Sequence, residues 1–139
     1  MSKASTIANQ KETREIPRNE WIPFMAQFTR ENRGSHARLE VVGPDTETGD
    51  EVRTENRPFD GVSADLRDRE RTVWIAFSSK EGDQMTHGVH GAKAVRVLRP
   101  HGAAGPVLEI ETDDGGRTIL ELTPAESYAL PYPSRPTSS

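Results

Sequence analysis

The stretch Trp21-Ile-Pro-Phe-Met-Ala-Gln-Phe-Thr-Arg-Glu-Asn-Arg-Gly-Ser-His-Ala-Arg-Leu-Glu-Val-Val42 decides the fold, because the spacing of its apolar residues changes partway through. Trp21, Phe24, Met25 and Phe28 stand at i, i+3, i+4 and i+7, which places four large groups on one stripe of a helix, while Gln27, Arg30, Glu31 and Arg33 fall elsewhere. Asn19 is positioned to cap such a helix and Gly34 to close it. Pro23 is tolerated only in the first turn, where its missing N–H has no partner to lose, so the regular helix is expected to begin there. From Ala37 the period becomes two, and side chains alternate between the faces of a strand.

Working outward, the same alternation recurs in Val62-Ser-Ala-Asp-Leu66, Thr72-Val-Trp-Ile-Ala-Phe77, Ala94-Val-Arg-Val-Leu98, Val107-Leu-Glu-Ile-Glu111 and Thr118-Ile-Leu-Glu-Leu122, with weaker strands at 51–57 and 84–89. Gly43-Pro44, Glu81-Gly-Asp83, the Gly/Pro-rich run 100–106 and Asp113-Asp-Gly-Gly116 punctuate them with turn chemistry. Short strands with no second helix for a parallel crossover predict a mainly β (α+β) fold: an N-terminal amphipathic helix followed by an antiparallel small β-barrel or meander. Residues 16–122 carry this domain. Beyond Met1, residues 1–15 hold one large apolar side chain, Ile7, and are expected to be a flexible N-terminal segment. Residues 123–139 form a Pro/Ser-rich tail in which only Tyr128, Leu130 and Tyr132 offer apolar surface for docking.

Composition removes several classes of function. The 139 residues include no cysteine, so disulfide frameworks, thiolate metal sites and thiol nucleophiles are absent. No apolar run approaches the roughly 20 residues that span a bilayer, and no apolar stretch follows the first residues as in a secretion signal, so the expected location is cytoplasmic. A net charge of −4 argues against a surface devoted to neutralising phosphates.

Four segments together resemble the bacterial family of unknown function DUF5335: Arg14-Glu-Ile-Pro-Arg-Asn-Glu-Trp-Ile-Pro-Phe24, Gly34-Ser-His-Ala-Arg-Leu-Glu-Val-Val-Gly43, Phe59-Asp-Gly-Val-Ser-Ala-Asp-Leu66 and Thr86-His-Gly-Val-His-Gly-Ala-Lys-Ala-Val-Arg-Val97. The resemblance covers residues 14–122, implies a small bacterial protein and transfers no functional residues. A looser resemblance links the helix-then-strands order to Sm-like and SH3-like small barrels. Gly61-Val-Ser-Ala-Asp65 is similar to the Gly-x-x-x-Asp part of the first Sm motif, but the Asn expected after it and the Ile-Arg-Gly second motif are missing.

The residues that bear chemistry are few. His87 and His90 form a His-x-x-His pair, yet positions three apart on a strand face opposite sides, so they meet one metal ion only if Gly88 or Gly91 breaks the pleat. Ser78-Ser-Lys80 lacks a nucleophile elbow, the glycines do not form a phosphate loop, and Glu109 and Glu111 alternate with core residues as a solvent face. Arg67, Arg69 and Arg71 stand near Trp74, a combination that binds peptides or nucleic acid by stacking and ion pairing. The sequence therefore predicts a non-catalytic interaction protein without cofactors, binding a protein partner or its own copies through Arg67, Arg69, Arg71 and Trp74. A nucleic-acid-binding module and a metal-dependent hydrolase using His87 and His90 are the alternatives.

Overall fold

Trp21–Asn32 forms the helix, α1, in a computed structural model that describes residues 11–44, 50–67, 69–79, 81–100 and 105–125. The helix begins two residues earlier than Pro23 suggests. A single 3-10 turn, Arg18–Glu20, leads into it and places Pro23 in its first turn, where an absent N–H costs nothing. Glu20, not Asn19, occupies the N-cap position and makes no side-chain cap bond; the 3-10 bond from the Glu20 N–H to the Pro17 carbonyl guides the chain instead. At the other end Gly34 adopts φ +92° just beyond the last turn, as the spacing predicts. Trp21, Met25 and Phe28 are buried, and Phe24 packs partly against them.

The described residues also form eight strands: β1 (Lys11–Ile16), β2 (His36–Val42), β3 (Asp50–Asp65), β4 (Thr72–Ser78), β5 (Gln84–Val89), β6 (Ala92–Pro100), β7 (Val107–Thr112) and β8 (Arg117–Thr123). They pair antiparallel in the order β1-β6-β7-β8-β2-β3-β4-β5. The mainly β architecture matches the alternation in the sequence. The sheet does not close among the described residues, so two strands, β1 and β5, remain as edges. β1 also extends ordered structure into the stretch that its polar composition assigns to a flexible leader; residues 1–10 and 126–139 lie outside the described residues. Among the described residues no helix is long and apolar enough to cross a membrane.

The strands expected at 51–57 and 62–66 are one bent strand, β3. Its first half pairs with β2 and its second with β4. Register slips beside Ala37/Arg38, Leu39/Glu40 and Phe59/Gly61 mark extra residues in β3, and Asn56 sits at φ 64° in one of them. Each bulge coils the strand further. Pro58 stands where pairing with β2 ends, at a position that needs no ladder donor.

The edge of β3 that turns away from β2 is covered by α1 and the turn after it. The Gly34 N–H donates to the Phe59 carbonyl at 2.8 Å and the Phe59 N–H to the Ser35 carbonyl at 2.7 Å. The Thr29 hydroxyl accepts from the Val62 N–H at 2.9 Å and donates to its carbonyl at 3.1 Å. These bonds satisfy backbone groups that a neighbouring strand would otherwise take.

The core runs continuously from Ile16, Trp21 and Phe28 through Leu39, Phe59, Val73, Ile75 and Phe77 to Val95, Leu108, Ile110 and Leu120. Phe28 meets Phe59 edge-on with ring centroids 6.0 Å apart. Each such side chain contributes about 1.5–3 kcal/mol by leaving water. The opposite face of the larger sheet half is a mosaic of charge. Arg96 contacts Glu15, Glu109 and Glu111 at 3.3, 3.5 and 3.0 Å, and Arg38 contacts Glu40 at 2.9 Å with Glu55 and Glu121 within 3.9 Å.

Candidate interaction surface

Trp74 lies in the middle of β4, opposite Gly88 of β5, with alternation turning it away from the core that Val73 and Ile75 enter. Its ring lies flat over Gly88: a Cβ at that glycine would stand 2.6 Å from the six-membered ring. The His90 imidazole stands nearly perpendicular to the indole at a centroid distance of 5.9 Å. His90 is held in turn by the Thr72 hydroxyl at 3.1 Å and faces Glu70 at 3.5 Å. The indole therefore covers a bare stretch of edge strand and keeps 40% of its surface exposed.

Beside Trp74 is a groove of about 490 Å³ lined by Ile22, Ser63, Ala64, Asp65, Leu66 and Arg67. The large hydrophobic side chains exposed among the described residues are Ile22, at 56%, Val52 and Trp74, and the first and last of these share this groove. Arg67 stands at its rim with both guanidinium and backbone N–H bonded to Asp65, which holds the Asp65 carboxyl below its usual range.

The three arginines that the sequence groups with Trp74 separate in space. Arg67 lines the groove, and Arg69 is exposed on the turn between β3 and β4. Arg71 adopts φ 48° and turns to Asp113 on the β7–β8 turn, while its carbonyl accepts from the Ala92 N–H at 3.0 Å. It serves as a strut between two ends of the sheet. Ile22, Ala64 and Leu66 enter the surface although sequence reading does not single them out, and Ile22 carried a signal: it is the large apolar residue on the polar side of the helical stripe.

His87 and His90 do not converge. His87 faces the core side opposite Ile75, whereas His90 lies beyond the strand end against Trp74. Among the described residues no group of three His, Asp or Glu side chains is arranged to hold a metal ion. A second, more polar cleft of about 280 Å³ brings His36, Arg38, Glu55, Asn56 and Glu121 together, with Arg38 inserted among the carboxylates.

Burial, followed by the positive charges of Arg53 and His90, pushes the His87 imidazole below its usual pKa. At pH above the ordinary imidazole range both folded and unfolded chains hold it neutral. Below that range the unfolded chain binds a proton that the folded chain resists, so folding stability is lost as pH falls. Urea midpoints measured from about pH 7 to about pH 5 should fall less steeply in His87→Gln than in the parent chain. Identical slopes would contradict this placement.

A long bent strand shared by two halves of an open antiparallel sheet, with one helix sealing the seam and an apolar groove beside it, defines a small mainly β domain. The chain belongs to DUF5335, a family of unknown function, which matches residues 12–131. An uncharacterized protein from Aquifex aeolicus (strain VF5) is 27% identical over 113 residues, covering 81% of this chain and 94% of that protein. No solved structure matches. The looser Sm-like resemblance has no counterpart in these comparisons.

Proposed function

We propose that this chain is a non-catalytic interaction module that associates with copies of itself through the free edge of β5. The supporting observation is the contrast between the two sheet edges. β1 carries the exposed side chains of Arg14 and Glu15, charges of the kind with which proteins block edge-to-edge pairing. β5, Gln84-Met-Thr-His-Gly-Val89, contains no Asp, Glu, Lys, Arg or Pro and is paired only with β4 among the described residues. An antiparallel self-pair has its two-fold axis perpendicular to the sheet, so the axis falls on a residue, and Thr86 or His87 is central. That arrangement sets the turn of Glu81 and Asp83 in one copy near the strand end that carries Val89 and His90 in the other.

Thr86 is exposed, so Thr86→Lys puts two ammonium groups together at the axis without disturbing the core. Light scattering should give twice the chain mass for the parent and the single-chain mass for Thr86→Lys. A parent that stays monomeric at high concentration, or a variant of unchanged mass, overturns the reading. Because the chain has no cysteine, Thr86→Cys and His87→Cys provide a second readout. Residues on the axis lie about 4.5–5.5 Å apart between Cα atoms, within disulfide reach, so one of the two should oxidise to a cross-linked dimer.

The nucleic-acid reading has less support, since Arg38, Arg96 and Arg117 face carboxylates of neighbouring strands. For the hydrolase reading, His87 and His90 point to different environments.

A further inference from the structure

We propose that the groove beside Ile22 and Trp74 binds an extended peptide of another protein, added as a strand to the edge of β3 at Ala64. The cover that α1 gives this edge ends at Val62, whose N–H and C=O both turn to the Thr29 hydroxyl and so away from β4. Backbone groups alternate in direction along an antiparallel strand, and the β3–β4 register runs without a slip from Gly61 to Asp65. Ser63 and Asp65 therefore bond to β4, while the N–H and C=O of Ala64 point the same way as those of Val62. Among the described residues no hydrogen bond from α1 reaches them. A Cβ at Gly61 would stand 3.2 Å from the Thr29 methyl, so helix and strand touch there. Toward the start of α1 they part, and the groove of about 490 Å³ opens between Ile22 and Ala64.

An added strand meets both backbone groups of Ala64 and covers the apolar walls in one step. The peptide residue opposite Ala64 shares its face, and the residues on either side of it lie over the other face, where the short Ser63 side chain leaves Trp74 within reach. A phosphate backbone offers acceptors alone and leaves the Ala64 carbonyl unmet, which favours a peptide over a nucleic acid. Charge selects among peptides. Asp65, the carboxylate lining the groove, is already bonded by the Arg67 guanidinium and N–H. Arg69 follows, exposed, and the first turn of α1 carries no acidic residue at the positive end of the helix dipole. The groove therefore favours apolar side chains accompanied by a carboxylate. Such binding does not depend on pairing through β5.

A random-peptide display library selected on the immobilised full chain tests this, and should enrich sequences in which a carboxylate accompanies apolar residues. A synthetic copy of the enriched peptide should bind Ile22→Asp at least about tenfold more weakly, and an exposed position in the first turn of a helix tolerates that change. Main-chain pairing has its own readout. Bound peptide should slow hydrogen exchange at the Ala64 N–H, and methylating the peptide nitrogen that donates to the Ala64 carbonyl should abolish binding, whereas methylating the next nitrogen along should not. A library that enriches nothing overturns the proposal. Equal affinity for the parent and Ile22→Asp chains does so too, and assigns the peptide to another edge such as β5. Unchanged exchange at Ala64, or indifference to every backbone methylation, also overturns it. So does a single-stranded oligothymidylate that binds the parent and is lost in Ile22→Asp, which would give the groove to nucleic acid.

Discussion

Trp21→Ala is expected to lower folding stability by about 3–5 kcal/mol, a large part of the roughly 5–15 kcal/mol that holds a small domain folded. Trp21 is 1% exposed in the first turn of α1. Its indole N–H donates to the Ile16 carbonyl at 2.9 Å, and the Arg18 guanidinium lies over its ring at 5.5 Å. One side chain therefore fixes where β1 ends, how the chain turns and where the helix begins. Removing it opens a cavity and leaves a carbonyl without its donor. Trp21→Phe separates the two contributions: the ring remains, and the loss should be about 1–3 kcal/mol for the unmet carbonyl and smaller volume. Urea denaturation followed by circular dichroism measures both, and a Trp21→Ala midpoint equal to the parent's would contradict the account.

Gly105→Ala is the second change with a large expected effect. A Cβ at this position would stand 2.2 Å from the Leu122 carbonyl oxygen and 2.9 Å from its carbon. Both are backbone atoms, and they cannot retreat cheaply, because the Leu122 N–H donates to the Pro106 carbonyl at 3.1 Å and Leu122 pairs with Ala37 of β2. Overpacking against fixed backbone costs about 1–3 kcal/mol or more. Gly88→Ala is the informative comparison: its Cβ would also come too close, at 2.6 Å, but to the half-exposed Trp74 ring, which can swing outward. The Gly105 variant should lose the greater stability, and the Gly88 variant should instead expose Trp74 to quencher. A reversed order would show that the Trp74 ring is the more firmly held of the two.

Much of the architecture is readable from residue spacing because burial on one face imposes it. Val73, Ile75 and Phe77 alternate in the string and are buried in the fold. β1 escapes notice because Lys11-Glu-Thr-Arg-Glu-Ile16 belongs to an edge, where charge replaces the alternation that marks interior strands. The continuity of β3 is hidden for a different reason. Asn56 in the left-handed region and Pro58 both read as punctuation, yet here they bend a strand that keeps its partners on either side. At the surface, the link between Arg71 and Asp113 joins residues 42 positions apart, and the Trp74–Gly88 contact depends on the exact register of β4 and β5. Neither can be read from local pattern. The groove likewise unites Ile22 from the helix with Leu66 just past the end of β3 and Trp74 within β4, a meeting that only the folded topology provides.

The charge mosaic on the larger sheet half bears on how fast this protein meets others. Arg96 stands among three glutamates and Arg38 among three more; with Arg117 and Lys93 beside Glu109 and Glu111, six carboxylates meet four cations, and these clusters keep an excess of negative charge. Long-range attraction lifts encounter rates only where one sign dominates a face. Partners whose contact face is positive are therefore drawn to this one, and added salt, which screens that field, should slow the encounter.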